Sequence, residues 1–178
     1  MSKSRFPFLA LSLLVGASSV EAQSFEVHGN LGRTFVDVEE WANDRIEEPS
    51  RLAWGGAGQL IFGQAGPGAT QFSVEGSFQH FLTYDPSDED EPTVSENAFA
   101  GVALARVWIG EGASFFEAGL GAAVLDRGTD PVVTGGLGKF LGGSGGRVIP
   151  IKLRLTAIFD GDTVLLPLTA SIGLHFGS

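Results

Sequence analysis

The sequence predicts an all-β fold, a membrane-spanning barrel of eight antiparallel strands in up-and-down order, preceded by a cleavable signal peptide. Three observations predict it. Segments in which apolar and polar residues alternate recur along the chain, and a period of two is the signature of a half-buried strand. Hydrophobic residues make up 43% of the chain, but no apolar run after residue 22 approaches the ~18 residues of a membrane helix. Glycine is abundant, at 26 of 178 residues, whereas charged residues make up only 18%.

The composition also excludes several classes of protein. A formal net charge of −10 disfavours binding to nucleic acid, which requires a basic surface. The absence of cysteine excludes a disulfide-stabilised scaffold and a thiolate metal site. The hydrophobic content is too high for a disordered chain. We therefore expect one folded domain with no nucleic-acid partner and no cofactor.

The first 22 residues have the features of a secretory signal. Lys3 and Arg5 precede an apolar stretch over residues 6–17, and small side chains follow it. A membrane-anchoring helix is the alternative, but the stretch is too short for it because a span needs ~20 residues. The two predicted parts of the chain are the signal peptide, residues 1–22, and the barrel domain, residues 23–178.

Eight segments of the barrel domain are predicted strands. The predicted strands are residues 24–38, 52–64, 70–84, 96–109, 114–126, 132–141, 148–159 and 164–176. Alternation is clearest in the third, seventh and eighth strands and weakest in the glycine-containing sixth. The first strand loses its register near Gly32, where we expect a β-bulge. Because no segment with a helical period separates the strands, neighbours should pair antiparallel.

The connections between these strands alternate in length and charge. Those that follow odd-numbered strands hold fourteen of the twenty acidic residues left after cleavage, whereas those that follow even-numbered strands are short and rich in glycine. Long outer loops and short inner turns are typical of a membrane barrel. Carboxylates in the outer loops are candidates for binding divalent cations, with a solvated loop as the alternative. The candidate acidic-loop residues are Glu39, Glu40, Asp88, Glu89, Asp90 and Glu91.

Aromatic residues cluster at both ends of the predicted strands, as in the girdles that mark the two surfaces of a membrane. The candidates at the glycine-turn end are Phe25, Phe62, Phe72, Trp108, Phe116, Phe140 and Phe176, and those at the acidic end are Trp54 and Tyr84.

Two barrels fit this pattern, and they differ in which face is apolar. A secreted, soluble barrel that binds a ligand would place its apolar residues inside, whereas a membrane barrel places them outside. The apolar faces of the three clearest strands carry no Asp, Glu, Lys or Arg, and the opposite faces are rich in small polar residues. This distribution favours the membrane barrel, with the soluble barrel as an alternative.

Charged residues on the predicted inner face must pair with one another, because an uncompensated buried charge is strongly unfavourable. We expect either a salt-bridged plug or a narrow conduction path lined by charge. The candidate residues of this lumen cluster are Glu26, Glu75, Glu117, Lys152 and Arg154.

The sequence carries no recognisable catalytic motif. The three histidines form no His-x-Ser pair, so no catalytic residue is predicted and we expect no enzyme activity. Gly138 and Lys139 resemble a fragment of a phosphate-binding loop, but Phe140 stands where Ser or Thr is required.

Residues 23–178 resemble the small eight-stranded outer-membrane barrels of diderm bacteria, of OmpA/OmpX type. At the end of the chain, Thr169, Ser171, Leu174 and Phe176 occupy the places of the sorting signal of those families, although Ser171 stands where glycine is usual. The resemblance implies an outer-membrane location and lipid as a partner, and it specifies no substrate. We expect a monomer with an envelope-structural or surface-interaction role through its acidic loops. A small channel for ions or small hydrophobic solutes is the alternative.

Overall fold

A computed structural model describes residues 24–36, 51–84, 93–110, 113–125, 128–142, 148–160 and 163–177. The strands are β1 (Ser24–Val36), β2 (Arg51–Phe62), β3 (Thr70–Tyr84), β4 (Thr93–Ile109), β5 (Ser114–Leu125), β6 (Gly128–Leu141), β7 (Ile149–Asp160) and β8 (Thr163–Gly177). Each strand pairs antiparallel with the next, and β8 pairs with β1, so the sheet closes into a barrel. The predicted all-β, eight-stranded barrel is confirmed. In the described ranges, no helix is long and apolar enough to cross a membrane.

The alternation in the sequence becomes two opposite faces of the closed sheet. Along β8, Ile172 and Phe176 are more than half exposed, whereas Thr169, which lies nearer the loop end and has the opposite parity, is buried. The same holds around the barrel, where Phe72 is 65% and Leu120 is 70% exposed. Because these large apolar side chains face outward on every strand, the exterior suits lipid, and the soluble barrel with an apolar interior is excluded.

Closure of the sheet gives the backbone N–H and C=O groups the hydrogen-bond partners that they need inside a membrane. β3 and β4 pair over the whole of β3, from Thr70 opposite Val107 to Tyr84 opposite Thr93. β1 and β8 pair from Ser24 opposite Gly177 to Val36 opposite Leu165. A closed ladder leaves no edge strand with unpaired N–H and C=O groups, which would be costly in hydrocarbon.

At the glycine-turn end, the structure describes one complete connection. The connection between β2 and β3 is a described turn in which Gly63, Gly66 and Gly68 have positive φ angles, and the N–H of Ala69 donates to the carbonyl oxygen of Gly66 at 2.9 Å. Such angles favour glycine because it has no side chain. The connections that follow β1 and β3 start at the opposite end, and the acidic-loop candidates lie there, outside the described residues. The predicted signal peptide also lies outside them.

The β-bulge expected near Gly32 is wrong. β1 keeps an unbroken register through this residue, which lies opposite Ala53 of β2 and Thr169 of β8. Gly32 faces the lumen, where an added Cβ would collide with the carbonyl oxygen of Leu168. Glycine at this position therefore allows β1 and β8 to approach closely, and it does not mark an extra residue in the ladder.

The aromatic residues divide between the two faces. The predicted girdle residues that are exposed on the outside are Phe25, Trp54, Phe72, Phe116 and Phe176, and Phe62 is half-buried. The side chain of Tyr84 lies outside the described part of the chain. The girdle prediction is wrong for Trp108 and Phe140, because both rings point into the lumen.

The apolar exterior leads to a test that also separates a membrane barrel from a soluble one. Leu120→Arg places a charge near the middle of β5, on the outer face, and should lower the free energy of unfolding by about 2–4 kcal/mol in lipid. Leu141→Arg, at the end of β6, is the matched control and should cost at most about 1 kcal/mol because a charge near the interface reaches water. Urea unfolding from lipid vesicles measures both values. Equal costs for the two variants would contradict the membrane orientation.

Candidate functional site

The lumen holds a group of ionised side chains near the glycine-turn end of the barrel. The structure brings together all five residues of the predicted lumen cluster and adds a sixth, Arg106 of β4. We call this group the lumen network. Its members are Glu26 of β1, Glu75 of β3, Arg106 of β4, Glu117 of β5, and Lys152 and Arg154 of β7.

Arg106 is the central donor of the lumen network. Its Nη1 and Nη2 atoms each donate to a separate oxygen of Glu26 at 2.8 Å, and its Nε donates to Oε1 of Glu117 at 2.7 Å. The side chain is only 1% exposed. The planar guanidinium thus holds two carboxylates from β1 and β5 with one rigid group, which an ammonium would do less well.

Glu26 is satisfied by donors on every side. Besides Arg106, its carboxylate accepts from Nζ of Lys152 at 2.9 Å, from Nε2 of His28 at 3.1 Å and from Nδ1 of His175 at 3.1 Å. A carboxylate with no exposed surface is stable only if such contacts replace water. The Glu26 site therefore requires its neighbours on β4, β7 and β8.

Glu117 forms the second centre of the lumen network. Lys152 Nζ lies 3.4 Å and Arg154 Nη2 lies 3.1 Å from its Oε2 atom. Gln59 donates to its Oε1 atom at 3.1 Å and accepts from Lys152 at 2.6 Å. Arg154 also pairs with Glu75. Ion pairs therefore connect all the members of the lumen network, from Glu26 on β1 to Arg154 on β7.

The lumen network is electrically balanced. It contains three carboxylates and three cations, so its formal charge is zero when His28 and His175 are neutral. The ion-paired side chains are between 0% and 13% exposed. A neutral and closely packed group gives a passing ion no net attractive field, so this arrangement favours the salt-bridged plug over the conduction path.

Aromatic rings close the lumen on the turn side of the network. Trp108 and Phe140 stack with their centroids 5.4 Å apart, and Phe115 lies 5.7 Å from Trp108. The indole N–H of Trp108 donates to Oε1 of Gln71 at 3.0 Å. Cζ of Arg106 lies 4.2 Å from the centre of the Phe115 ring, a cation–π contact. The rings of this aromatic layer thus shield the lumen network instead of meeting lipid.

Apolar side chains close the lumen on the loop side. Phe81, Leu125, Val132 and Ile158 are each less than 5% exposed and belong to one cluster with neighbouring alanines. Leu165 joins them from β8. The described part of the lumen is therefore filled in three layers, which are apolar at the loop end, charged below that, and aromatic at the turn end.

Sequence reasoning missed Arg106, although a signal was present. Arg106 has the same parity in β4 as the buried Val102 and Leu104, and it lies opposite Glu117 in the ladder. The inward residues that precede Arg106, which are Ala98, Ala100, Val102 and Leu104, are apolar, so the alternation in this part of β4 is weak. The pairing of an inward Arg with an inward Glu on the next strand would have identified it.

The geometry supports structural rather than catalytic chemistry in the described region. Each carboxylate of the lumen network is engaged by an arginine or a lysine, so none is placed as a base beside an accessible nucleophile. Among the residues that the structure describes, no group of three or more His, Asp or Glu side chains could hold a metal ion.

Comparisons with known proteins identify the fold. Neisserial surface protein A has a TM-score of 0.58 and 10% identity, and the match covers 89% of this chain and 100% of that one. The outer membrane protein Ail of Yersinia pestis, in a phospholipid bilayer nanodisc, has a TM-score of 0.51 and 15% identity, over 85% of this chain and 99% of that one. No family model and no curated protein matches the chain.

The chain therefore has the fold of a small eight-stranded outer-membrane β-barrel, as the resemblance in the sequence implies. Closed antiparallel barrels with an apolar outer belt are the strand-built solution to crossing a membrane. The fold and the apolar exterior together are those of a barrel that spans a membrane with strands.

The central position of Arg106 can be tested by removing its charge. Arg106→Met leaves Glu26 and Glu117 short of donors in a dry site and should lower the free energy of unfolding by about 3–5 kcal/mol. Lys139→Met, which removes an exposed cation from β6, is the control and should cost less than about 1 kcal/mol. Urea unfolding in vesicles, followed by the mobility shift of the unboiled protein in gels, measures the difference.

A second variant separates charge imbalance from lost packing. The double variant Arg106→Met with Glu117→Gln restores a neutral lumen network and should recover part of the lost stability. A double variant no more stable than Arg106→Met alone would show that the ion pairs do not control the stability of the barrel.

Proposed function

We propose that this protein is a non-enzymatic, non-conducting outer-membrane barrel that anchors acidic loops at the cell surface, where they take part in surface interactions. The observation that carries the proposal is the closed lumen. Since the neutral lumen network lies between the apolar layer and the aromatic layer, transport through the barrel is disfavoured. Contacts with the surroundings are then left to the exterior and to the loops.

The distribution of charge along the chain supports a surface role for one end. Residues 37–50 contain six acidic residues and residues 85–92 contain five, and both segments connect strands at the loop end. The connections at the other end are dominated by glycine. A strongly acidic end favours basic or cationic partners and repels phosphate groups.

Divalent cations are the partners that we propose for these loops. Carboxylate oxygens suit Ca²⁺ and Mg²⁺, and a bound cation would let an acidic loop approach the anionic headgroups of the surrounding lipid. The segment over residues 85–92 is the strongest candidate, because five of its eight residues are acidic.

The proposal is tested by neutralising that loop in nanodisc-embedded protein. The variant Asp88→Ser, Glu89→Ser, Asp90→Ser and Glu91→Ser should weaken Ca²⁺ binding at least tenfold and abolish Ca²⁺-dependent capture of phosphatidylglycerol vesicles. Its stability in urea should not change, because residues 88–91 belong to the connection between β3 and β4 and to neither strand. The control Glu111→Ser removes an acidic residue from the turn end and should leave both measurements unchanged. Unaltered Ca²⁺ binding and vesicle capture in the loop variant would refute the proposed role of this loop.

A further inference from the structure

A shallow, open groove lies on the outer face of the barrel at β1 and β8. Its volume is about 380 Å³, and its walls include Gly29 and Leu31 of β1 and Ala170 and Ile172 of β8. Gly29 lies opposite Ile172 in the ladder. Leu31 lies opposite Ala170, so each large side chain lies beside a small one. An added Cβ at Gly29 would meet nothing within 4 Å apart from its chain neighbours, so the space above it is open. We call this feature the outer groove.

The outer groove is apolar and lies in the middle of the outer face. Along β1, Gly29 lies midway between Phe25, which is at the turn end, and Arg33, which is near the loop end. Leu31 is 59% and Ile172 is 61% exposed, so the walls of the groove project outward from the sheet. An apolar groove at this depth fits an acyl chain of the surrounding lipid.

Arg33 lies beyond the loop-side end of the outer groove. It follows Leu31 on the same face of β1 and is exposed, whereas its neighbour Thr34 is buried. A guanidinium on a lipid-facing surface is costly unless it reaches the headgroups, and a long side chain near a strand end can reach them. Its N–H groups only donate hydrogen bonds, and their planar arrangement matches two oxygens of a phosphate.

Trp54 flanks the same end of the outer groove. It lies opposite Leu31 in the ladder between β1 and β2, and it is 48% exposed. An indole combines an apolar ring with a polar N–H and favours the boundary between hydrocarbon and headgroups. Arg33 and Trp54 therefore mark the headgroup end of the groove, and Gly29 and Ala170 lie at its hydrocarbon end.

The charge of the chain distinguishes a lipid from a free phosphate as the ligand. The connections that follow β1 and β3 are strongly acidic, so a soluble phosphate near Arg33 is repelled. A phosphate that belongs to a lipid is held at the membrane surface by its acyl chains, and their contact with the apolar groove offsets this repulsion. The combination of a cation and an apolar groove thus favours a lipid.

We propose that the outer groove and Arg33 form a binding site for one membrane lipid with a phosphate in its headgroup. The phosphate accepts hydrogen bonds from Arg33, and an acyl chain lies along Gly29 and Ala170. The site consists of strand residues and needs no divalent cation. It is therefore independent of the role proposed for the acidic loops.

Native mass spectrometry of the whole protein in maltoside micelles, after removal of divalent cations with EDTA, tests the proposal. Phosphatidylglycerol is the probe, and the comparisons are diacylglycerol with the same chains and inorganic phosphate. The protein should retain one molecule of phosphatidylglycerol and neither comparison compound. Equal retention of diacylglycerol would overturn the role of the phosphate, and binding of inorganic phosphate would overturn the choice of a lipid.

Paired variants locate the site. Arg33→Gln and Gly29→Leu should each weaken binding of phosphatidylglycerol about tenfold, because the first removes charge-assisted hydrogen bonds and the second fills the groove. Lys139→Gln removes an exposed cation near the turn end, and Gly76→Leu fills an open position on the outer face of β3. Both controls should bind as the unaltered protein does, and the mobility shift of unboiled samples in gels checks that every variant is folded. Equal losses in a variant and its control would overturn the proposal, because they would show unspecific attraction.

Discussion

The constraint on which the rest of the structure depends is the burial of six ionised side chains in a lumen only wide enough for side chains. Arg106 meets this constraint by joining Glu26 of β1 to Glu117 of β5. These partners are 80 and 11 residues away in the sequence, so the contact forms only when distant strands have met. Since an unpaired buried charge is strongly unfavourable, the network favours the closed register and penalises alternatives.

The apolar exterior and the polar interior have one cause, which is that a membrane barrel places its apolar residues outside and its polar residues inside. Every second residue faces lipid, which leaves the polar residues to pack against each other inside. Where two strands approach closely, glycine occupies the inner face. Gly32 of β1 is an example, because a side chain there would collide with β8. The aromatic layer and the apolar layer then isolate the lumen network from both ends. This construction supports the proposal that the barrel serves as an anchor and that its acidic loops take part in surface interactions.

Much of this architecture could be predicted from the sequence, because a period of two and an outer face with few charges are local signals. β3 has the predicted bounds, whereas β6 begins four residues earlier than expected, because its first residues, Gly128 to Pro131, are of types typical of a turn. Arg106 was missed because the inward residues that precede it in β4, from Ala98 to Leu104, are apolar. Trp108 and Phe140 were misplaced because an aromatic residue at a strand end fits either a girdle or the lumen. The strand register decides between these two positions. It places Trp108 on the inner face, where its indole N–H donates to Gln71. The lumen network depends on the packing of five strands, β1, β3, β4, β5 and β7, which no single segment reveals.

Single-channel recording of purified, refolded protein in a planar bilayer tests the closed lumen most directly. If the neutral lumen network fills the barrel, the membrane current should stay at the baseline of a protein-free bilayer at both polarities and in low and high salt. Reproducible unitary current steps from the folded protein would contradict a closed lumen and would favour the channel instead.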